Sequence, residues 1–115
     1  VAGPGHPTFG IDLEGAEPLP ADFFPHVLRP EERSSIGEDP TLAKVLFSAK
    51  EAFYKAQHVH TGVLLDFLDV EILFDSASQT FRVEVHHPSK ANLPAEPSGA
   101  WIHLGPFVLA TARVG

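Results

Sequence analysis

FSAKEAFYK, from Phe47 to Lys55, is the stretch around which the rest of the chain is organised. Wound as a helix at about 100° per residue, it places Leu42, Val45, Leu46, Ala49, Phe53 and Ala56 on one side, a core face. Lys44, Ser48, Glu51 and Lys55 fall nearly opposite, so a carboxylate sits between two ammonium groups. Such a face can serve a phosphate or a metal, yet Glu and Lys at i,i+4 also occur on ordinary surface helices for a few tenths of a kcal/mol. Asp39 ahead of Pro40 and Thr41 is a helix start signal, which predicts a helix from Pro40 to about Gln57. His58 and His60 then lie at its C-terminal end before Gly62, where dipole and capping account for them without a metal.

Upstream, Thr8 to Glu14 alternates as a strand, with Phe9, Ile11 and Leu13 on one side and Gly10, Asp12 and Glu14 on the other. Residues two apart on a strand share a face with roots about 7 Å apart. Asp12 and Glu14 therefore repel one another, and a divalent cation with a taste for hard oxygen ligands would relieve this. The alternative is a solvated strand edge that happens to bear two acids. Glu17 to Pro25 is a proline-punctuated loop with Phe23 and Phe24 as anchors, and Pro30 to Ile36 a short helix with proline at its first position.

Downstream, Asp69 to Asp75 and the run through Phe81, Val83 and Val85 form a hairpin. His86 and His87 at its end point to opposite faces and make a poor chelating pair. Pro88 to Gly99 is an irregular loop, and Trp101 to Leu104 and Phe107 to Val114 are strands around a Gly105-Pro106 turn. The layout is α+β, one long helix packed across an antiparallel sheet. Ser48 has no base in reach beyond Glu51, so a serine nucleophile is unsupported.

Bulk properties narrow the partners. At 115 residues the chain is one domain, and its formal net charge of −7 argues against non-specific nucleic-acid binding. No apolar run approaches the roughly 18 residues of a membrane span, no signal peptide opens the chain, and no cysteine supplies a disulfide or thiol. The expectation is a soluble, cytoplasmic protein with neither nucleic acid nor membrane as partner. The chain starts at Val1 and holds no methionine. Val1-Ala2 followed by the turn-rich GPGHP reads as a hairpin cut before its turn, so a longer protein is expected, with sequence upstream.

GIDLE at Gly10 to Glu14 and FSAKEAFYK at Phe47 to Lys55, about 40 residues apart, together resemble the signature of the 4′-phosphopantetheinyl transferases: a GxDxE strand motif followed by an (F/W)xxKExxxK helix motif. TGVLLDFLDVEI, leading into the hairpin, resembles the larger siderophore- and surfactin-synthetase type. The resemblance runs from Phe9 to about Glu84. It implies that Asp12, Glu14 and Glu51 hold Mg²⁺, with Mn²⁺ as a substitute, and that Glu51 also acts, directly or through water, as the base for the attacking hydroxyl. Lys55 matches the lysine on the coenzyme A pyrophosphate, and Lys50 a further motif lysine assigned to the same ligand. The implied reaction moves the phosphopantetheine arm of coenzyme A to a serine of an acyl or peptidyl carrier protein, as in siderophore, polyketide or nonribosomal peptide synthesis.

Larger members of that family have two similar halves with coenzyme A between them, and the first half carries a serine-histidine motif. That motif is not found here, and His6 in its turn is not a match for it. The chain therefore resembles the C-terminal, metal-bearing half of a pseudo-dimeric enzyme, inactive alone and partnered by a missing N-terminal half. Phe47 and Tyr54, on the flank of the helix, would suit a cleft against that half better than open solvent. A non-catalytic binding or assembly domain that retains the fold is the alternative.

Overall fold

The computed structural model of the chain describes residues 6–93 and 97–115, so the hairpin expected at Val1-Ala2 lies outside the described residues. Strand β1 (Thr8–Gly15) is followed by a 3-10 turn (Ala21–Phe23), a one-turn helix α1 (Phe24–Val27), α2 (Pro30–Ile36) and the long helix α3 (Pro40–Thr61). After a second 3-10 turn (Phe67–Asp69) come β2 (Val70–Asp75) and β3 (Thr80–Val85). A third 3-10 turn (Pro88–Asn92) precedes β4 (Ser98–Leu104) and β5 (Phe107–Val114). The five strands form one sheet in the order β1-β5-β4-β3-β2, every neighbouring pair antiparallel. The expected α+β architecture is therefore the observed one.

Local chemistry explains most boundaries. Asp39 caps α3, its Oδ1 accepting from the Thr41 and Leu42 amides at 2.8 and 3.4 Å. The helix runs to Thr61, past the expected Gln57, because nothing in His58-Val59-His60 breaks it. Gly62 stops it by taking φ +75° while its amide donates to the His58 carbonyl at 2.8 Å. Three departures concern irregular segments. Glu17 to Pro25 is not all loop, and of its two expected anchors only Phe24 is buried, at 2% exposure against 48% for Phe23, since adjacent residues on a helical turn diverge by about 100°; Leu19, at 6%, is a further anchor of the segment. The stretch from Pro88 holds a 3-10 turn. Strand β4 begins at Ser98, three residues before the expected Trp101, because Ser98, Gly99 and Ala100 pair with Arg113, Ala112 and Thr111 despite low strand propensity.

Helix α3 lies across one face of the sheet. Small residues let it come close: Ala49, Ala52 and Ala56 on the helix, Ala110 and Ala112 on β5, all at most 2% exposed. The tightest approach is at Gly10, where a Cβ would stand 1.9 Å from the Ala52 carbonyl oxygen. Thr8, two residues earlier, donates its hydroxyl to the Ala56 carbonyl at 2.7 Å. The inner face of β1 is thus its polar one. Thr8, Gly10 and Asp12 face the helix, while Phe9, Ile11 and Leu13 are 67%, 61% and 57% exposed. Among the described residues, no helix is long and apolar enough to cross a membrane.

Gly10→Ala is expected to destabilise the chain by about 1–3 kcal/mol or more through overpacking, since backbone and not a pliable side chain blocks the new methyl. Urea midpoints of the two proteins check this.

Candidate functional site

The site is built where β1 crosses α3. Asp12 is 4% exposed, and both its oxygens are held: Ser48 donates its hydroxyl to Oδ2 at 2.9 Å, and Lys55 donates its ammonium to Oδ1 at 3.0 Å. Lys55 also donates to the Ile11 carbonyl at 3.1 Å. Glu14 stands beside Asp12 on the same strand face, and Glu51 projects from α3 one turn before Lys55. The sequence placed Ser48 on a solvent face, but it is wholly buried under β1, where it fixes the rotamer of Asp12.

Electrostatics ties the three acids together. Burial, a hydrogen bond to Asp12 and the Asp12 charge push the Glu14 carboxyl up to about 7, with Lys44 opposing and Glu51 adding a little. Burial first, then the Asp12 charge, raises Glu51, with Lys55 opposing. Carboxylates that repel in this way take up a proton or a cation. An all-oxygen donor set of this kind fits a hard divalent ion. The trio is a set of neighbours more than a closed cage, because the three do not bring ligand atoms mutually within 4.8 Å, as Glu31, Glu71 and His86 do elsewhere on the molecule.

Lys50 follows a different course from Lys55. At 2% exposure its ammonium donates to the Val27 carbonyl at 2.7 Å, Glu32 Oε1 at 2.7 Å and the Phe67 carbonyl at 2.9 Å, which uses all three protons. Glu32 in turn accepts from the Arg29 amide at 2.8 Å and, through Oε2, from the Ile72 amide at 2.7 Å. This knot joins α2, α3, the turn before β2, and β2 itself. Desolvation lowers the Lys50 pKa and the Glu32 charge opposes it. The sequence did not single out Glu32, although a Glu at the third position of a helix opened by Arg29-Pro30 is a capping signal.

Directly beside Glu51 lies a cavity of about 250 Å³, walled by Lys50, Phe53, Tyr54, Leu65, Asp66, Phe67 and Val70. Phe47 packs on Phe67 with ring centroids 5.5 Å apart, and Tyr54 stacks on His58 at 5.7 Å. The flanking aromatics therefore shape this cavity rather than standing in open solvent. His86 and His87 diverge as expected: His86 Nε2 meets Glu71 Oε1 at 2.9 Å, and His87 Nδ1 meets the Ser89 hydroxyl at 2.6 Å.

The chain is similar to known proteins in sequence and in fold. A sequence profile of the 4′-phosphopantetheinyl transferase superfamily matches residues 8–112. The 4′-phosphopantetheinyl transferase Svp of Streptomyces mobaraensis is 34% identical over 87 residues, which cover 70% of this chain and 35% of that protein. The 4′-phosphopantetheinyl transferase Npt of Nocardia iowensis is 32% identical over 116 residues, covering 89% of this chain and 52% of that one. The chain thus spans between about a third and a half of the length of these relatives. In fold it is similar to the ACPS of Chronobacterium ammoniagenes in complex with CoA, with a TM-score of 0.69, 22% identity, and coverage of 95% of this chain and 96% of that one.

Two outcomes follow from the electrostatics. With Glu14 raised from 4.5 to about 7, the folded state keeps a proton that the unfolded state releases, so this group's contribution makes stability fall as pH rises through that window. Without divalent cations, Glu14→Gln is expected to remove that part of the slope and to be more stable than the wild type above pH 7, as read from urea midpoints across pH. Glu32→Ala would strand the buried Lys50 ammonium and cost on the order of 3–5 kcal/mol, measured by the same unfolding assay.

Proposed function

Because the chain belongs to the 4′-phosphopantetheinyl transferase superfamily, we propose that it forms the metal- and pyrophosphate-binding side of an enzyme that moves the phosphopantetheine arm of coenzyme A to a serine of an acyl or peptidyl carrier protein. The observation that carries this is the convergence of Asp12, Glu14, Glu51 and Lys55 at one strand-helix crossing. Phosphoryl transfer asks little covalent chemistry of a protein and much positioning and charge neutralisation.

The geometry supports the following roles. Asp12, Glu14 and Glu51 would hold Mg²⁺ or Mn²⁺, which when bound neutralises charge on the pyrophosphate. The Lys55 side chain is half exposed, so its ammonium can turn from Asp12 to a phosphate oxygen as a point charge. Lys50 is assigned to the buried knot with Glu32, where it sets the position of the neighbouring Glu51. Glu51 also serves as base: the serine oxygen bonds to the phosphorus carrying the pantetheine arm, and the P–O bond of the pyrophosphate breaks. The hydroxyl proton passes to Glu51, and adenosine 3′,5′-bisphosphate departs. A carboxyl held above its usual range suits that step. The cavity beside Glu51 joins apolar walls from Phe53, Leu65, Phe67 and Val70 to polar groups, which suits part of the pantetheine arm. Coenzyme A as donor is supported by the CoA complex of the similarly folded ACPS.

We assign the chain to the larger, two-half type, as its C-terminal half. The matched residues cover only 35% and 52% of the two curated relatives. The outer face of the sheet supports a partner half as well. Phe9, Ile11 and Leu13 on β1 continue through Leu109 to Ile102, and through Phe107 to Leu104, by direct cross-strand pairing. Six of these are 44–67% exposed, an apolar area of the kind that marks an interface.

The longer protein, or this chain supplied with the upstream half, is expected to convert an apo carrier protein to its phosphopantetheinylated form with coenzyme A and Mg²⁺, followed by intact mass. The chain alone should show background turnover. Glu51→Gln should lower kcat by about 100-fold or more, and Lys55→Ala should raise the coenzyme A KM by roughly 10-fold. Failure of the complete protein to modify any of a panel of acyl and peptidyl carriers would overturn the proposal.

A further inference from the structure

We propose that Glu31, Glu71 and His86 form a second divalent-metal site, separate from the three carboxylates at the strand-helix crossing and selective for a borderline transition-metal ion such as zinc. The three side chains come from α2, β2 and the residue after β3. One ligand atom of each lies within 4.8 Å of the other two, a condition met among the described residues by this trio alone. Ligand atoms around a tetrahedral zinc stand about 3.4 Å apart. His86 Nε2 and Glu71 Oε1, at 2.9 Å, are already inside that spacing, and the Glu31 side chain, 49% exposed, has the rotamer freedom to close the remaining gap.

What brings them together is independent of any ion. Glu32 Oε2 accepts from the Ile72 amide at 2.7 Å, which fixes the neighbouring positions 31 and 71 across from each other. The His86 amide donates to the Asp69 carbonyl at 2.7 Å, which holds the end of β3 beside the start of β2. Arg29 Nε occupies Glu31 Oε2 at 3.1 Å and leaves the other oxygen free, as the outer partner of a ligating carboxylate does. A charge imbalance also marks the place. Glu71 pairs directly with Glu84 across the hairpin, and like charges so placed are destabilising. Lys90 reaches Glu84 only at 3.9 Å.

The imidazole separates this site chemically from the other. Magnesium favours oxygen ligands and keeps its waters, whereas imidazole with carboxylates suits zinc and its neighbours. Three protein ligands leave a fourth position for water or an anion. Bound there, the ion ties α2 to the hairpin and braces the segment that carries Phe67 and Val70, which wall the cavity beside Glu51.

The test is titration of metal-free protein with Zn²⁺ by calorimetry and with Co²⁺ by its visible spectrum. Wild type and Asp12→Asn are expected to bind one equivalent with the same affinity, and His86→Ala and Glu31→Gln to lose about 10- to 100-fold. Both latter positions are partly or largely exposed, and circular dichroism confirms that the variants fold. The proposal is overturned by any of three results: no binding by the wild type, unchanged affinity in His86→Ala and Glu31→Gln, or loss in Asp12→Asn, which would put the ion on the other carboxylates.

Discussion

The contact of β1 with α3 is the constraint on which the rest of the molecule depends. A glycine at position 10 lets the strand settle against the Ala52 carbonyl, and only at that distance do Thr8 and Asp12 reach the helix with their side chains. The result is an inner strand face made of polar groups that are nearly all satisfied. A buried carboxylate is tolerable when its lone pairs are taken, and Ser48 and Lys55 take those of Asp12. The packing that defines the fold is thereby the same packing that assembles the acidic site.

A second buried charge does similar work on the other flank of α3. Lys50 and Glu32, adjacent in sequence to Glu51 and Glu31, are saturated by their common hydrogen bond and four others, to Val27, Phe67, Arg29 and Ile72. Neutral residues of the same shape could match its stability, but they would not specify so narrowly how α2 and the start of β2 meet the helix. The consequence for chemistry is positional. Glu51, with Asp12 on one side and the cavity on the other, inherits its placement from the residues on either side of it in sequence and space.

Much of this was legible in the sequence, because long elements announce themselves by period and cap. Asp39-Pro40, the hairpin repeat through Val85 and the GIDLE alternation all correspond to observed elements. The pairing of GIDLE with FSAKEAFYK indicated the family, which the profile over residues 8–112 shows. What was not legible depended on tertiary partners. Periodicity cannot say which face of a strand is buried, so the outward turn of Phe9, Ile11 and Leu13 and the burial of Ser48 needed the structure. Nor can motif matching separate two lysines five residues apart. Lys50 faces a partner 18 positions upstream, and Lys55 a partner 43 positions upstream, with no local signal to tell them apart.

The inverted strand is the feature that unites site and assembly. By the hydrophobic effect alone β1 should turn Phe9, Ile11 and Leu13 inward, since each covered side chain is worth on the order of 1.5–3 kcal/mol. Instead the acids are inside, repelling one another, and the apolar residues are outside. Both costs persist as long as the strand stands alone, and each is relieved by a different companion: a cation among the acids, an apolar body over the outer face. A strand packed on α3 through an acidic inner face and left apolar on its outer one is consistent with the proposed enzyme, where the same eight residues would meet the metal on one side and the other half on the other.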